Sequence, residues 1–200
     1  MFHKIKKLFQ KRKSNAKIDN LFNSLNDYII TVRVGSDLVP FADFIIDVIS
    51  DLRESIKNEC GFIFPLVNIK DNIFYQENEY TIDIRGEQAD RGFLVPNKDG
   101  IKKEFCESLK NVIYNKIDYI FTNQLVEKYI NIVKEENHIL VNNVTYYLST
   151  VEIKTILSDI ISTRKSINNI DYIFEKIGDQ IFSNRCYNPH KISTEILKYL

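Results

Sequence analysis

Every strand-like run in this chain lies before Pro96, and the stretches beyond Gly100 all carry helical periodicity. A chain ordered this way cannot alternate strands and helices throughout. It is expected to be α+β, with a small sheet domain followed by an all-helical subdomain. Tyr28–Val34 (YIITVRV) reads as the first strand. Phe41, Phe44, Ile45, Val48, Ile49, Leu52 and Ile56 then recur at helical spacing, and Gly61 stands where that helix should stop. Ile63–Ile69, Tyr80–Arg85 and Gln88–Leu94 read as three more strands, the last two flanking a tight turn at Gly86–Glu87. The expected order over residues 27–98 is therefore β-α-β-β-β.

Asn97–Gly100 reads as a loop, and residues 101–200 as the helical part. Phe105, Leu109, Val112, Ile113, Ile117, Ile120 and Phe121 predict one long helix running past Tyr129. Ser149-Thr150-Val151-Glu152 has the form of a capping box opening another. Ile170, Ile173, Phe174, Ile177 and Ile181 stripe the next, and Asn188-Pro189 introduces the last.

The formal charge is zero, but it is unevenly spread. Residues 1–18 hold seven Lys or Arg and no acid, which leaves 20 basic against 27 acidic side chains, about −7, on the rest. The body is thus a poor partner for polyanions, which argues against nucleic acid and against a winged-helix reading of the helical part. The basic tail, taken as residues 1–26, is the place for any contact with a membrane surface or polyanion, through Lys4, Lys6, Lys7, Lys11, Arg12 and Lys13. Phe2, Ile5, Leu8 and Phe9 share one helical face there, so the segment admits a short amphipathic helix; a solvated terminus is the plainer reading. Neither an apolar run of about 20 residues, as a membrane span needs, nor a secretory leader is visible. Cys60, Cys106 and Cys186 are odd in number and far apart, as suits a reducing cytoplasm.

The chemistry is sparse. The chain has no GxGxxG, Walker loop, GxSxG or HExxH. Cys186 and His190 have ligand-like spacing but make half a zinc site at most. Glu87, Asp90 and Arg91 cluster near the hairpin, where a solvated tip explains them as well as acid–base work does. Tyr146, Tyr147, Tyr172 and Tyr187 read as helix-packing aromatics or as a contact surface. These residues predict no enzyme, no cofactor and no metal, and a protein that works by binding.

Four linked stretches, VGSDLVPFAD, GFIFPLVNIKDN, NEYTIDIRG and RGFLVPNK, resemble in order and spacing the cytoplasmic region of the FlhA/InvA (FHIPEP) export-gate family of flagellar and type III secretion systems. The positions that carry the resemblance include Gly35, Pro40, Asp43, Gly61, Pro65, Asp71, Asn72, Tyr80 and Gly86. The resemblance continues through the helical half, to about residue 200. It implies the first and third cytoplasmic subdomains, with the inserted one reduced to NKDGIKK, and neither the transmembrane half nor the terminal subdomain is expected. It also implies a non-catalytic protein-interaction module of the cytoplasm. Protein partners among export components or substrates and a homo-oligomer follow; weak contact with the inner face of the membrane is expected only through the basic tail. The alternative is a module co-opted as a regulator or adaptor unrelated to export, associated with a membrane surface or nucleic acid through the basic tail.

Overall fold

The computed structural model describes residues 29–200, so the readings made for the basic tail lie outside the described residues. Strands β1 (Ile30–Val34), β2 (Val67–Asp71), β3 (Glu79–Ile84) and β4 (Glu87–Phe93) form one mixed sheet in the order β2-β1-β3-β4. β1 runs parallel to β2 and antiparallel to β3, with Val34 opposite both Asp71 and Tyr80. Ile30, Val32, Val34, Tyr80, Ile82 and Ile84 are buried, as period-2 alternation requires of residues on one face. Helix α1 (Ala42–Cys60) buries Ile45, Val48, Ile49, Leu52 and Ile56 of the predicted stripe, while Phe44 is half-buried and Phe41 precedes the helix.

Two readings of this half shift. The strand expected at Ile63–Ile69 begins only at Val67. Phe62, Ile63, Phe64 and Pro65 are buried but outside the ladder, in an extended stretch whose proline has no N–H to give it. The hairpin turn is Arg85-Gly86, one residue earlier than read. Their φ angles of 52° and 85° are the paired positive values of a type I′ turn.

Asn97–Gly100, read as a loop, starts a helix instead. The Asn97 side chain accepts from Gly100 N at 2.8 Å, and Gly100 itself has helical φ and ψ of −60° and −50°. A turn at Lys98–Gly100, a π-turn at Ile101–Phe105 and helix α2 (Cys106–Asn115) follow without a break. The expected long helix stops there. After the short α3 (Ile117–Ile120), Phe121 turns extended and Thr122 caps α4 (Asn123–Glu136), its Oγ1 accepting from Leu125 N at 3.3 Å. Helices α5 (His138–Tyr147), α6 (Thr150–Ser162), α7 (Ile170–Phe182) and α8 (Pro189–Ile196) complete the chain. The α6 capping box is present in both directions: Glu152 N donates to Ser149 Oγ and Ser149 N to Glu152 Oε2. Ser149 N and Oγ both donate to Glu152 Oε2, which holds that carboxyl below its usual range. Replacing Ser149 by Ala is expected to cost about 1 kcal/mol, seen as a fall in the chemical-denaturation midpoint at unchanged slope.

Candidate interaction site

The GFIFPLVNIKDN stretch is the seam of the molecule. Gly61 ends α1 in the left-handed conformation, φ 75°, and its N donates to Lys57 O at 3.0 Å. Its carbonyl accepts from Tyr129 Oη of α4 at 2.7 Å, and the carbonyl of Cys60 accepts from Ile167 N at 2.8 Å. Phe62 meets Phe121 edge-on at 5.5 Å, and on the sheet Tyr80 meets Phe105 at 5.7 Å. Burial raises the pKa of Tyr129 and Tyr114, and Tyr114 Oη reaches the Cys60 thiol at 3.7 Å. Burial also pushes the thiols of Cys60 and Cys106 up. Native-state alkylation at neutral pH is therefore expected to label Cys186 first and Cys60 last, read by mass spectrometry of digests. Early labelling of Cys60 would show that the seam opens.

The remaining motif positions build turns. A Cβ at Gly35 would run into the Gln76 carbonyl oxygen, because Gly35 N and Asp37 N donate to Glu79 O and Glu77 O, each at 2.8 Å. Pro40 sits in the 3-10 segment Ser36–Phe41, and Asp43 is exposed in the first turn of α1. Asp71 ends β2. Asn72 closes the next turn: its N donates to Val34 O at 2.9 Å and its Oδ1 accepts from Phe74 N at 3.0 Å. Lys4, Lys6, Lys7, Lys11, Arg12 and Lys13 lie outside the described residues.

Of the hairpin cluster, Glu87 lines a small cavity of about 60 Å³ with Lys116 and Tyr119, whereas Asp90 and Arg91 are not among its lining residues. Asp90 accepts from Tyr80 Oη at 3.3 Å and from Ser108, while Arg91 turns the other way to Glu79, with Nε 2.7 Å from Oε1. Arg33 pairs with the buried Asp83. His190 Nδ1 lies 2.9 Å from Asp159 Oδ2, and Ser193 Oγ donates to the same oxygen at 2.5 Å. No three His, Cys, Asp or Glu side chains gather as metal ligands among the described residues.

Two surface features escape a reading by periodicity. Ile73 and Phe74 are 85% and 89% exposed, although the Asn72 turn and a Tyr75 Oη···Thr81 Oγ1 hydrogen bond of 3.0 Å fix their backbone. On the helical side, Tyr146, Tyr147, Phe182 and Tyr187 form a half-exposed aromatic cluster, with centroids 4.9–5.7 Å apart. Beside it lies an open groove of about 360 Å³ lined by Ile139, Leu140, Phe182, Glu175 and Asp179. Three of the four singled-out tyrosines thus both pack together and face solvent. No helix among the described residues is long and apolar enough to cross a membrane.

The FHIPEP family model matches residues 3–104. Flagellar biosynthesis protein FlhA of Bacillus subtilis is 26% identical over 201 residues, covering 75% of this chain and 30% of its own. The chain spans under a third of the length of the FlhA relatives it matches. The structure of the Chlamydia pneumoniae CdsV protein superposes with a TM-score of 0.69 at 14% identity, over 85% of this chain and 65% of that one. The nonameric SctV-C of EPEC, solved by cryo-EM, gives 0.65 at 12%, over 82% and 63%. At those identities the likeness shows the α+β fold.

Proposed function

This chain belongs to the FHIPEP family, and from that premise we propose that it is a non-catalytic protein-interaction module of flagellar or type III protein export, working on the cytoplasmic side. The observation that carries the reading is where the motif residues go. Gly35, Gly61, Asn72 and Gly86 shape turns, and the stretch that starts at Gly61 joins the sheet to the helices, so among the described residues these motif positions serve the scaffold rather than a reaction. Ile73, Phe74, Tyr146 and Tyr187 are exposed, and apolar and aromatic side chains of this kind mark contact surfaces. A related fold is solved as a nonamer, which supports self-association here as well.

Photo-crosslinking in cells from position 74 or 146, followed by mass spectrometry, tests the reading. Components or substrates of an export apparatus are the expected products, together with cross-links between copies of the chain. Repeated capture of partners from outside any export system would replace it with the co-opted adaptor.

A further inference from the structure

The sheet end that carries Ile73 and Phe74 gathers more apolar surface than one turn. Asn72 N bonds to Val34 O, Asp37 N to Glu77 O and Leu94 N to Asn78 O, so four chain segments meet there. They bring the exposed side chains of Val39, Ile73, Phe74, Phe93 and Val95 to one end of the sheet. Asp37, Asp71 and Glu77 stand among them, exposed and without an ion-pair partner among the described residues, with Lys70 on the same strand end. An apolar patch with an acidic rim favours a partner that is apolar on one face and basic on the other.

The chain carries such a segment. Residues 29–100 hold 13 acidic and seven basic side chains, net −6, whereas residues 1–28 hold seven basic and two acidic, net +5. Within the latter, Phe2, Ile5, Leu8 and Phe9 have the spacing of helix-in-groove anchors, interleaved with Lys4, Lys6, Lys7 and Lys11. We propose that residues 2–13 of the chain dock on the Val39/Ile73/Phe74/Phe93/Val95 end of its own sheet, with their lysines against Asp37, Asp71 and Glu77. Reach is ample. The residues between Lys13 and Ile29 span up to about 50 Å when extended, and the sheet from Ile30 to Val34 is only about 17 Å long. Because the link is intramolecular, a weak contact suffices, since tethering raises the effective concentration of the segment far above that of the free protein. Docked this way, the segment covers Ile73 and Phe74. It therefore competes with any partner of that surface.

Trypsin reads the contact directly, since the basic residues of 4–13 are its sites and cleavage tracks the undocked population. In the full-length protein, cleavage there is expected to speed up about fivefold in the Ile73→Ser/Phe74→Ser variant. These two side chains are almost fully exposed, and an unchanged melting temperature confirms that the fold is kept. The reciprocal variant, with Phe2, Ile5, Leu8 and Phe9 all changed to Ser, is expected to raise amide exchange at residues 72–78 by a similar factor. Tenfold dilution leaves both protections in place. Equal cleavage rates in the native and Ile73→Ser/Phe74→Ser proteins overturn the proposal. Protection that vanishes on dilution replaces it with docking onto a second copy. Protection that needs phosphatidylserine vesicles replaces it with a membrane contact.

Discussion

Replacing Gly61 by valine is expected to lower the melting temperature by about 10 °C, among the largest effects of any single change in the chain. Two penalties add. A β-branched residue at φ 75° is held in the left-handed region, which costs about 1–2 kcal/mol or more. A Cβ at Gly61 would also lie 2.6 Å from Asn168 Oδ1 and 2.8 Å from Asn168 N. The second atom is backbone, fixed because its neighbour Ile167 N donates to Cys60 O. The loop cannot yield without breaking that bond, which adds about 1–3 kcal/mol of overpacking. Gly86 supplies the control, with φ 85° and nothing within 4 Å of a Cβ. Gly86→Ala should show the conformational penalty alone, about 1–2 kcal/mol. If the two substitutions shift the midpoint equally, the close approach to Asn168 contributes nothing and the seam is looser than its geometry implies.

Those two glycines also mark how far the sequence could be read. Gly61 follows an apolar stripe and Gly86 sits between two alternating runs, so both turns were visible, the second displaced by one residue. Ser149 with Glu152 was legible because a capping box is local. The strand at residues 63–69 was misplaced for a tertiary reason. Phe62–Pro65 is as apolar as a buried strand, but it spends that character against Phe121 and the helical half rather than in the ladder. The break after α2 was missed because the apolar stripe continues across it through Ile117, Ile120 and Phe121, while the change of direction shows only in Thr122, a cap three residues before Leu125. Gly100 reads as a loop residue by type, although Asn97 before it is a good cap. At the surface, Ile73 and Phe74 had no signature at all. In a one-dimensional reading an Ile-Phe pair beside a strand belongs to the core, and only the Asn72 turn aims it outward.

Expressed alone, residues 101–200 are expected to give no cooperative melting transition and to associate. Periodicity divides the chain near this point, but energetically the halves are one body. The buried residues of the sheet, α1 and the helices form a single continuous cluster. Cutting it strips Phe105 of Tyr80 and Phe121 of Phe62, and takes the Gly61 carbonyl from Tyr129 Oη and the Cys60 carbonyl from Ile167 N. Uncovering two phenylalanines costs up to about 3–6 kcal/mol by surface alone. Leaving Tyr129 Oη and Ile167 N without those acceptors adds roughly 1–3 kcal/mol each where water does not replace them. The total rivals the entire stability of an ordinary domain, about 5–15 kcal/mol. The helical secondary structure should survive in part, because capping and i→i−4 bonding are local, so circular dichroism would show helix without a sharp transition. Calorimetry and sedimentation decide it. A monomeric fragment with one cooperative transition would mean that the helical half carries its own core, and that the contacts at Gly61 and Phe62 join two bodies already folded.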